Sequence, residues 1–378
     1  MAAGAGLIAV TYGVVRFGFG LQLTQLSAEF SLTPTLSGLI ASGSFAAYCV
    51  SALTARRVTA HRGARTVLWL ATASAVAGAL LVSVAWTAAA LAAGVLIAGS
   101  AAGAASPALV VAVSATAPPR AADRRQAVVN AGTGAGVVAA GLVALFAPSA
   151  WRPVWIAAAV AAVVTAAVVD RRTDWPRPDG AASTGTTAEE GGTWRALLRP
   201  VLAATLAGLG SAAVWTFGRD LLTTVGGLPE RTTAVLWVLL GATAVLGALS
   251  GDAVRVLGLR RTWVLTVALS AASTCGLAAV AADPVAAGVA AAVFGGSYTA
   301  LSGTLIAWAG ALRPHLAGAT TATLFIALTA GQAVGSPLTG SLTGTLGAPG
   351  AFTVSAALLA SAAVVLPRTG GGRGAPRR

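Results

Sequence analysis

Residues 170–199 read DRRTDWPRPDGAASTGTTAEEGGTWRALLR, a polar run rich in Gly, Pro, Ser, Thr and charge that has the composition of a flexible linker. Apolar stretches flank it on both sides. Before it they lie near residues 3–23, 36–55, 66–86, 88–115, 127–147 and 153–169, and after it near 201–222, 232–251, 262–282, 285–311, 317–341 and 350–366. Each is long enough for a helix of about 20 residues to cross the hydrocarbon. The pattern is six, linker, six. Composition agrees, because 56% of the 378 residues are hydrophobic and 9% are charged, whereas a soluble domain carries about 25% charge. At roughly 30 residues per crossing and connection the chain holds about twelve crossings. The expectation is an all-α polytopic membrane protein with a six-helix bundle at 1–169, a cytoplasmic linker at 170–199, a second bundle at 200–367 and a basic tail at 368–378.

Lysine is absent, so the 24 basic residues are arginines, and the formal charge is +13. Nucleic-acid binding would require a basic, aromatic-laced face on a soluble fold. Here the arginines cluster in short loops instead: Arg56, Arg57, Arg62 and Arg65; Arg120, Arg124 and Arg125; Arg255, Arg260 and Arg261; and Arg313, with five more in the linker and four in the tail. The opposite loops hold Arg152 and Arg231. Positive residues accumulate on the cytoplasmic side, which places the linker and both termini there, in a cytoplasmic (inner) membrane. The first apolar stretch contains Arg16 and follows no basic segment, so it reads as a retained helix rather than a cleaved signal. Cys49 and Cys275 sit within apolar stretches as small hydrophobes.

The halves echo each other, as in transporters built from repeats. Phe17-Gly18, Leu21 and Thr24 recur as Phe217-Gly218, Leu221 and Thr224, and Gly63-Ala64-Arg65-Thr66-Val67-Leu68 is echoed by Gly258-Leu-Arg260-Arg261-Thr-Trp-Val-Leu265. With its six-linker-six layout and the runs Arg62-Gly63-Ala64-Arg65 and Asp252-Ala-Val-Arg255-Val-Leu-Gly258-Leu-Arg260-Arg261, the whole chain resembles the major facilitator superfamily. These runs are similar to that family's Gly-x-x-x-Asp-Arg-x-Gly-Arg-Arg loop, although the first lacks the aspartate and has His61 near its place. The first helix, Tyr12-Gly-Val-Val-Arg16-Phe17-Gly-Phe19-Gly-Leu21, is similar to a bacterial branch with Gly-x-x-Arg-Phe in that position. The resemblance implies two bundles that rock about a central cavity. It also implies conformational roles for Arg62, Gly63, Arg65, Asp252, Gly258 and Arg260.

Arg16 is the sharpest functional signal. An arginine at a helix centre costs roughly 2.5–3.5 kcal/mol on insertion scales, and intramembrane charges usually mark pathways or sites. Tyr12 and Phe19 share its helical face at i−4 and i+3, a wall suited to an anionic or aromatic group. Arg219 and Asp220 close the seventh helix, and the resemblance places that helix opposite the first. An Arg16–Asp220 contact broken by protonation would then couple transport to protons. Trp215 lies four residues before Arg219, a cation–π spacing. Asn130, Gln332, Tyr298, Tyr48 and Phe45 complete the candidate lining of a mostly apolar cavity.

Gly132-Thr-Gly134-Ala-Gly136 has a nucleotide-binding spacing but no preceding strand. With Gly141, Gly331, Gly335 and Gly340 it reads as small residues that admit close helix approach, and the resemblance sets those helices between the bundles. Ser106-Pro107 and Ser336-Pro337 mark kinks. No catalytic triad, metal cluster or Walker lysine appears. The reading is therefore a secondary active transporter, monomeric and without cofactor, that moves a small amphipathic or aromatic molecule by alternating access, with proton-coupled efflux preferred. Uptake of an organic anion on Arg16 and a non-transporting receptor are the alternatives.

Overall fold

The computed structural model describes residues 1–116, 119–147, 149–176 and 190–367. The linker at 177–189 and the basic tail at 368–378 lie outside the described residues, as do the side chains of Arg120 and Arg124. Among the described residues eleven helices are long and apolar enough to cross a membrane, and the last of them divides at Gly347, which makes twelve rods. The first half holds α1 (Ala2–Leu21), α2 (Pro34–Arg62), α3 (Ala64–Ser83), α4 (Ala88–Thr116), α5 (Val128–Phe146) and α6 (Trp151–Arg171). The second holds α7 (Glu190–Thr224), α8 (Glu230–Leu257), α9 (Leu259–Ala279) and α10 (Pro284–Leu312), followed by α11 over 317–346 and α12 over 348–361. The last two run on as one helix except at Gly347, whose φ of 72° and ψ of 164° turn the chain back. The helix of α7 begins at Glu190, so ten residues of the polar run are helical, and Asp170 and Arg171 complete the last turn of α6.

Ends and turns follow local chemistry. Thr33 caps α2, its side chain accepting from the Leu36 N–H at 3.2 Å, and Asp283 caps α10 by accepting from the Val285 and Ala286 N–H groups. In each case proline follows at the first helical position, where its missing N–H costs nothing. Gly63 (φ 82°, ψ 160°) joins α2 to α3, and Gly258 (φ 80°, ψ 153°) joins α8 to α9. Their matching left-handed backbone, open to glycine and to few other residues, makes the two loops copies of each other.

Duplication extends to the packing. A Cβ on Gly132 or Gly136 of α5 would run into the carbonyls of Ala5 and Ala9 on α1, and one on Gly331 or Gly335 of α11 would run into those of Thr205 and Leu209 on α7. The four glycines thus press each half together internally. The fifth and eleventh helices do lie where the halves meet, but these four glycines face into their own half rather than across the junction. The interface between halves uses other small residues: Gly134 and Gly141 of α5 against Gly241 and Val238 of α8, and Gly38 of α2 and Gly340 of α11 against Ser336 and Pro34. In a bilayer, helix association rests on such close van der Waals contact because lipid tails are as apolar as the side chains.

Gly335→Ala should therefore lower the thermal midpoint in detergent, since overpacking typically costs about 1–3 kcal/mol. Gly310→Ala on α10 meets open space and should leave the midpoint unchanged or raise it, because alanine favours the helix by about 1 kcal/mol. Equal responses from the two variants would contradict this packing.

Candidate functional site

The first rod is not a regular helix. Ala2–Ile8 is α-helical, Ala9–Arg16 winds as a π-helix, and Phe17–Leu21 returns to α geometry before Gln22 (φ −102°, ψ 7°) breaks the rod and Leu23–Phe30 resumes. Such widened turns concentrate at functional sites because they re-aim side chains. Here the π segment ends on Arg16, which is 8% exposed and lies where the halves meet.

Its guanidinium reaches across to α11. Nη2 donates to Thr329 Oγ1 at 2.9 Å and to Gln332 Oε1 at 2.8 Å. Four rings surround the charge: Tyr48 at 4.3 Å from its centroid, Phe17 at 5.4 Å, and Tyr12 and Phe45 at 5.5 Å each. Each such contact is worth about 0.5–2 kcal/mol. Its polar partners are neutral oxygens, not carboxylates, and its Nε is buried without an acceptor.

Around this centre the polar groups form a chain. Gln332 Nε2 donates to the Tyr298 hydroxyl at 3.0 Å, and the Tyr12 and Tyr48 hydroxyls pair at 3.1 Å. Trp215 stacks on Phe17 with centroids 4.0 Å apart and meets Tyr298 and Phe294 edgewise. The Trp215 indole N–H is also buried without an acceptor. Donors thus exceed acceptors in this cluster, and buried donors without partners are rare in folded proteins.

Several sequence expectations change here. Arg16 and Asp220 do not form an ion pair. Asp220 Oδ1 instead accepts from Thr24 Oγ1 at 3.2 Å, at the end of the bundle away from the linker. Trp215 and Arg219 make no cation–π contact, because Trp215 turns to Phe17 while Arg219 reaches the other way. Arg219 is 1% exposed, and its guanidinium donates to Thr233 Oγ1 (3.1 Å), the Glu230 carbonyl (3.2 Å) and the Leu21 carbonyl at the break in α1. Gln25 Nε2 donates to Glu230 Oε2 at 3.0 Å beside it. Phe19 is buried, yet Phe17 takes the place beside Arg16 because the π turn shifts the phase. Asn130 is exposed on α5, where its Oδ1 accepts from Gln126, and takes no part in the cluster. Thr329 and Phe17 are additions that residue type alone did not mark.

Arg65 forms a bidentate pair with Asp170 of α6 (2.8 and 3.0 Å), and Trp175 Nε1 donates to the same carboxylate. Asp252 pairs with Arg255 one turn along at 2.9 Å, both side chains exposed. Arg62 and Arg260 are exposed beside Gly63 and Gly258.

A twelve-helix membrane protein with a charged, aromatic-lined centre between two pseudo-repeated halves has the architecture of a secondary transporter. The description Major Facilitator Superfamily matches residues 5–328, and the chain belongs to that family. Among solved structures it is similar to the D-xylose-proton symporter (TM-score 0.78, 14% identity, 98% of this chain and 97% of that one). It is also similar to a mutant of the nucleoside transporter NupG (0.77, 10%, 97% and 97%). A third is a bacterial homolog of the human lysosomal transporter Spinster, inward-facing and unoccupied (0.74, 14%, 96% and 95%). No curated protein matches it. At these identities the structural likeness carries the fold alone, and membership of the family supports secondary transport by alternating access.

Proposed function

We propose that the protein exports a small organic anion with an aromatic or apolar body, binding it on Arg16 between the halves. The observation that carries this reading is the uncompensated charge: a buried guanidinium ringed by Tyr12, Phe17, Phe45 and Tyr48 has neutral partners only and a free Nε. A carboxylate would satisfy that donor with a charge-assisted hydrogen bond, about twice as strong as a neutral one. Trp215 and Tyr298 would hold the body of the ligand, their rings meeting at 5.6 Å.

The arginine distribution supports a cytoplasmic-membrane location with the linker and both termini inside. Direction follows from charge. An anion leaving an interior-negative cell runs with the field, which is worth about 2.3 kcal/mol per elementary charge per 100 mV, and an entering proton adds the same again. Asp220 is the proton carrier in this scheme. Its carboxylate bridges to Thr24 of the Leu23–Phe30 segment that follows α1, at the outer end, so protonation changes what holds the halves together there.

Proteoliposomes loaded with radiolabelled benzoate should release it faster when an inward proton gradient is imposed. Asp220→Asn should keep release but lose most of its dependence on the gradient. Equal gradient dependence in both proteins would remove Asp220 from the coupling, and no benzoate flux with or without a gradient, together with no benzoate binding, would refute the aromatic-anion reading.

A further inference from the structure

Gln332 is held from two sides. Tyr298 of α10 accepts from its amide nitrogen at 3.0 Å, which forces the amide oxygen onto Arg16 at 2.8 Å. Thr329, one turn earlier on α11, adds a second neutral acceptor at 2.9 Å. These two bonds cross from the first half to the second. They continue a seam in which α2 and α11 touch from Gly38 and Ser336 down to Cys49, whose thiol donates to the Ile326 carbonyl at 3.5 Å.

We infer that Gln332 is a positioning residue that occupies Arg16 in the empty transporter and yields it to the anion, so that ligand binding unfastens α11 from α1. The inference rests on the anion reading for its trigger, but the fastening itself does not. The physics is a competition. A carboxylate bonds a guanidinium more strongly than an amide oxygen does, and the displaced Gln332 keeps the Tyr298 partner of its amide nitrogen while its oxygen gives up the Arg16 donor. Release of the Arg16–α11 bonds loosens the seam that must part for the outer end to open. Such a device commits the opening step to ligand arrival, because a ligand shifts an equilibrium only by its differential affinity for the two states.

Cys49 is a native reporter of the seam, and Cys275, exposed on α9, can be removed as Cys275→Ser. In that background N-ethylmaleimide should alkylate Cys49 faster when benzoate is present. Gln332→Glu places a permanent carboxylate against Arg16. It should slow alkylation by about tenfold, the effect of one charge-assisted bond of about 1.5 kcal/mol, and abolish the response to benzoate. Gln332→Ala removes the competitor. It should speed alkylation without ligand and tighten benzoate binding severalfold. Weaker benzoate binding in Gln332→Ala would make Gln332 a ligand rather than a competitor and overturn the inference, as would Cys49 reacting equally fast in all three proteins. If benzoate has no effect on the parent while the two variants shift alkylation in opposite directions, the fastening stands and the aromatic-anion reading falls.

Discussion

Exchanging Arg16 for methionine should cost at least about thirtyfold in anion affinity and flux while leaving thermal stability nearly unchanged. The loss follows from removing one member of a buried charge pair, typically worth about 2–5 kcal/mol, where each 1.4 kcal/mol is a factor of ten. Stability behaves differently because opposing contributions nearly cancel. The guanidinium gains two charge-assisted hydrogen bonds to Thr329 and Gln332 and four ring contacts. Against these stands a desolvation penalty of several kcal/mol for a buried ion without a countercharge. Methionine fills similar volume and removes that penalty along with the bonds. Flux in proteoliposomes and the unfolding midpoint in detergent, measured on the same preparation, separate the roles. A structural arginine would lower both in proportion, and a midpoint drop of ten degrees or more with modest flux loss would refute a binding role.

That Arg16 could be singled out from composition reflects how costly a charge is in hydrocarbon: few side chains stand out so sharply against a background of alanine, valine and glycine. The twelve rods were legible for the same reason, since each backbone group in lipid must find its partner within a helix and the apolar runs had the right length. Partner identity was not legible. Thr329 is one threonine among many, and nothing in its neighbours shows that it faces Arg16. Phe17 replaced Phe19 because the π segment over Ala9–Arg16 breaks the 3.6-residue phase, a change no spacing argument contains. The Trp215–Arg219 spacing was correct for a helix, yet Trp215 was claimed by Phe17 across the interface at 4.0 Å.

The glycines teach a related lesson about scale. Gly132 and Gly136 pair with Ala5 and Ala9, and Gly331 and Gly335 with Thr205 and Leu209, so the repeat is written in helix contacts as well as in loops. Stiffening each half internally is what permits it to move as a body. The halves meet through α5 on α8 and α2 on α11, where Gly134, Gly141, Gly38 and Gly340 keep the backbones close.

Arg219→Met should unseal the end of the bundle away from the linker, the outer end in the proposed orientation. The native guanidinium is fully buried, and of its three acceptors the Leu21 carbonyl alone belongs to the first half. That carbonyl ends α1 at the Gln22 break, so the arginine substitutes for part of a helix that has stopped. A hydrogen bond to a charged donor contributes about 1.5–3 kcal/mol, and its loss shifts the open-to-closed ratio roughly tenfold to a hundredfold. The Thr233 and Glu230 contacts lie within the second half and lose their partner in either state, so they lower overall stability without biasing the balance. Thr24→Cys, beside Asp220 on the other face of the same seam, provides the readout with a membrane-impermeant maleimide applied from outside. Labelling should accelerate in Arg219→Met. Arg219→Lys should fall between the two, because an ammonium can reach one carbonyl but cannot span three acceptors as the planar fork does. If Arg219→Met leaves labelling unchanged and merely lowers the unfolding midpoint, the residue braces α7 against α8 and has no part in closing the outer end.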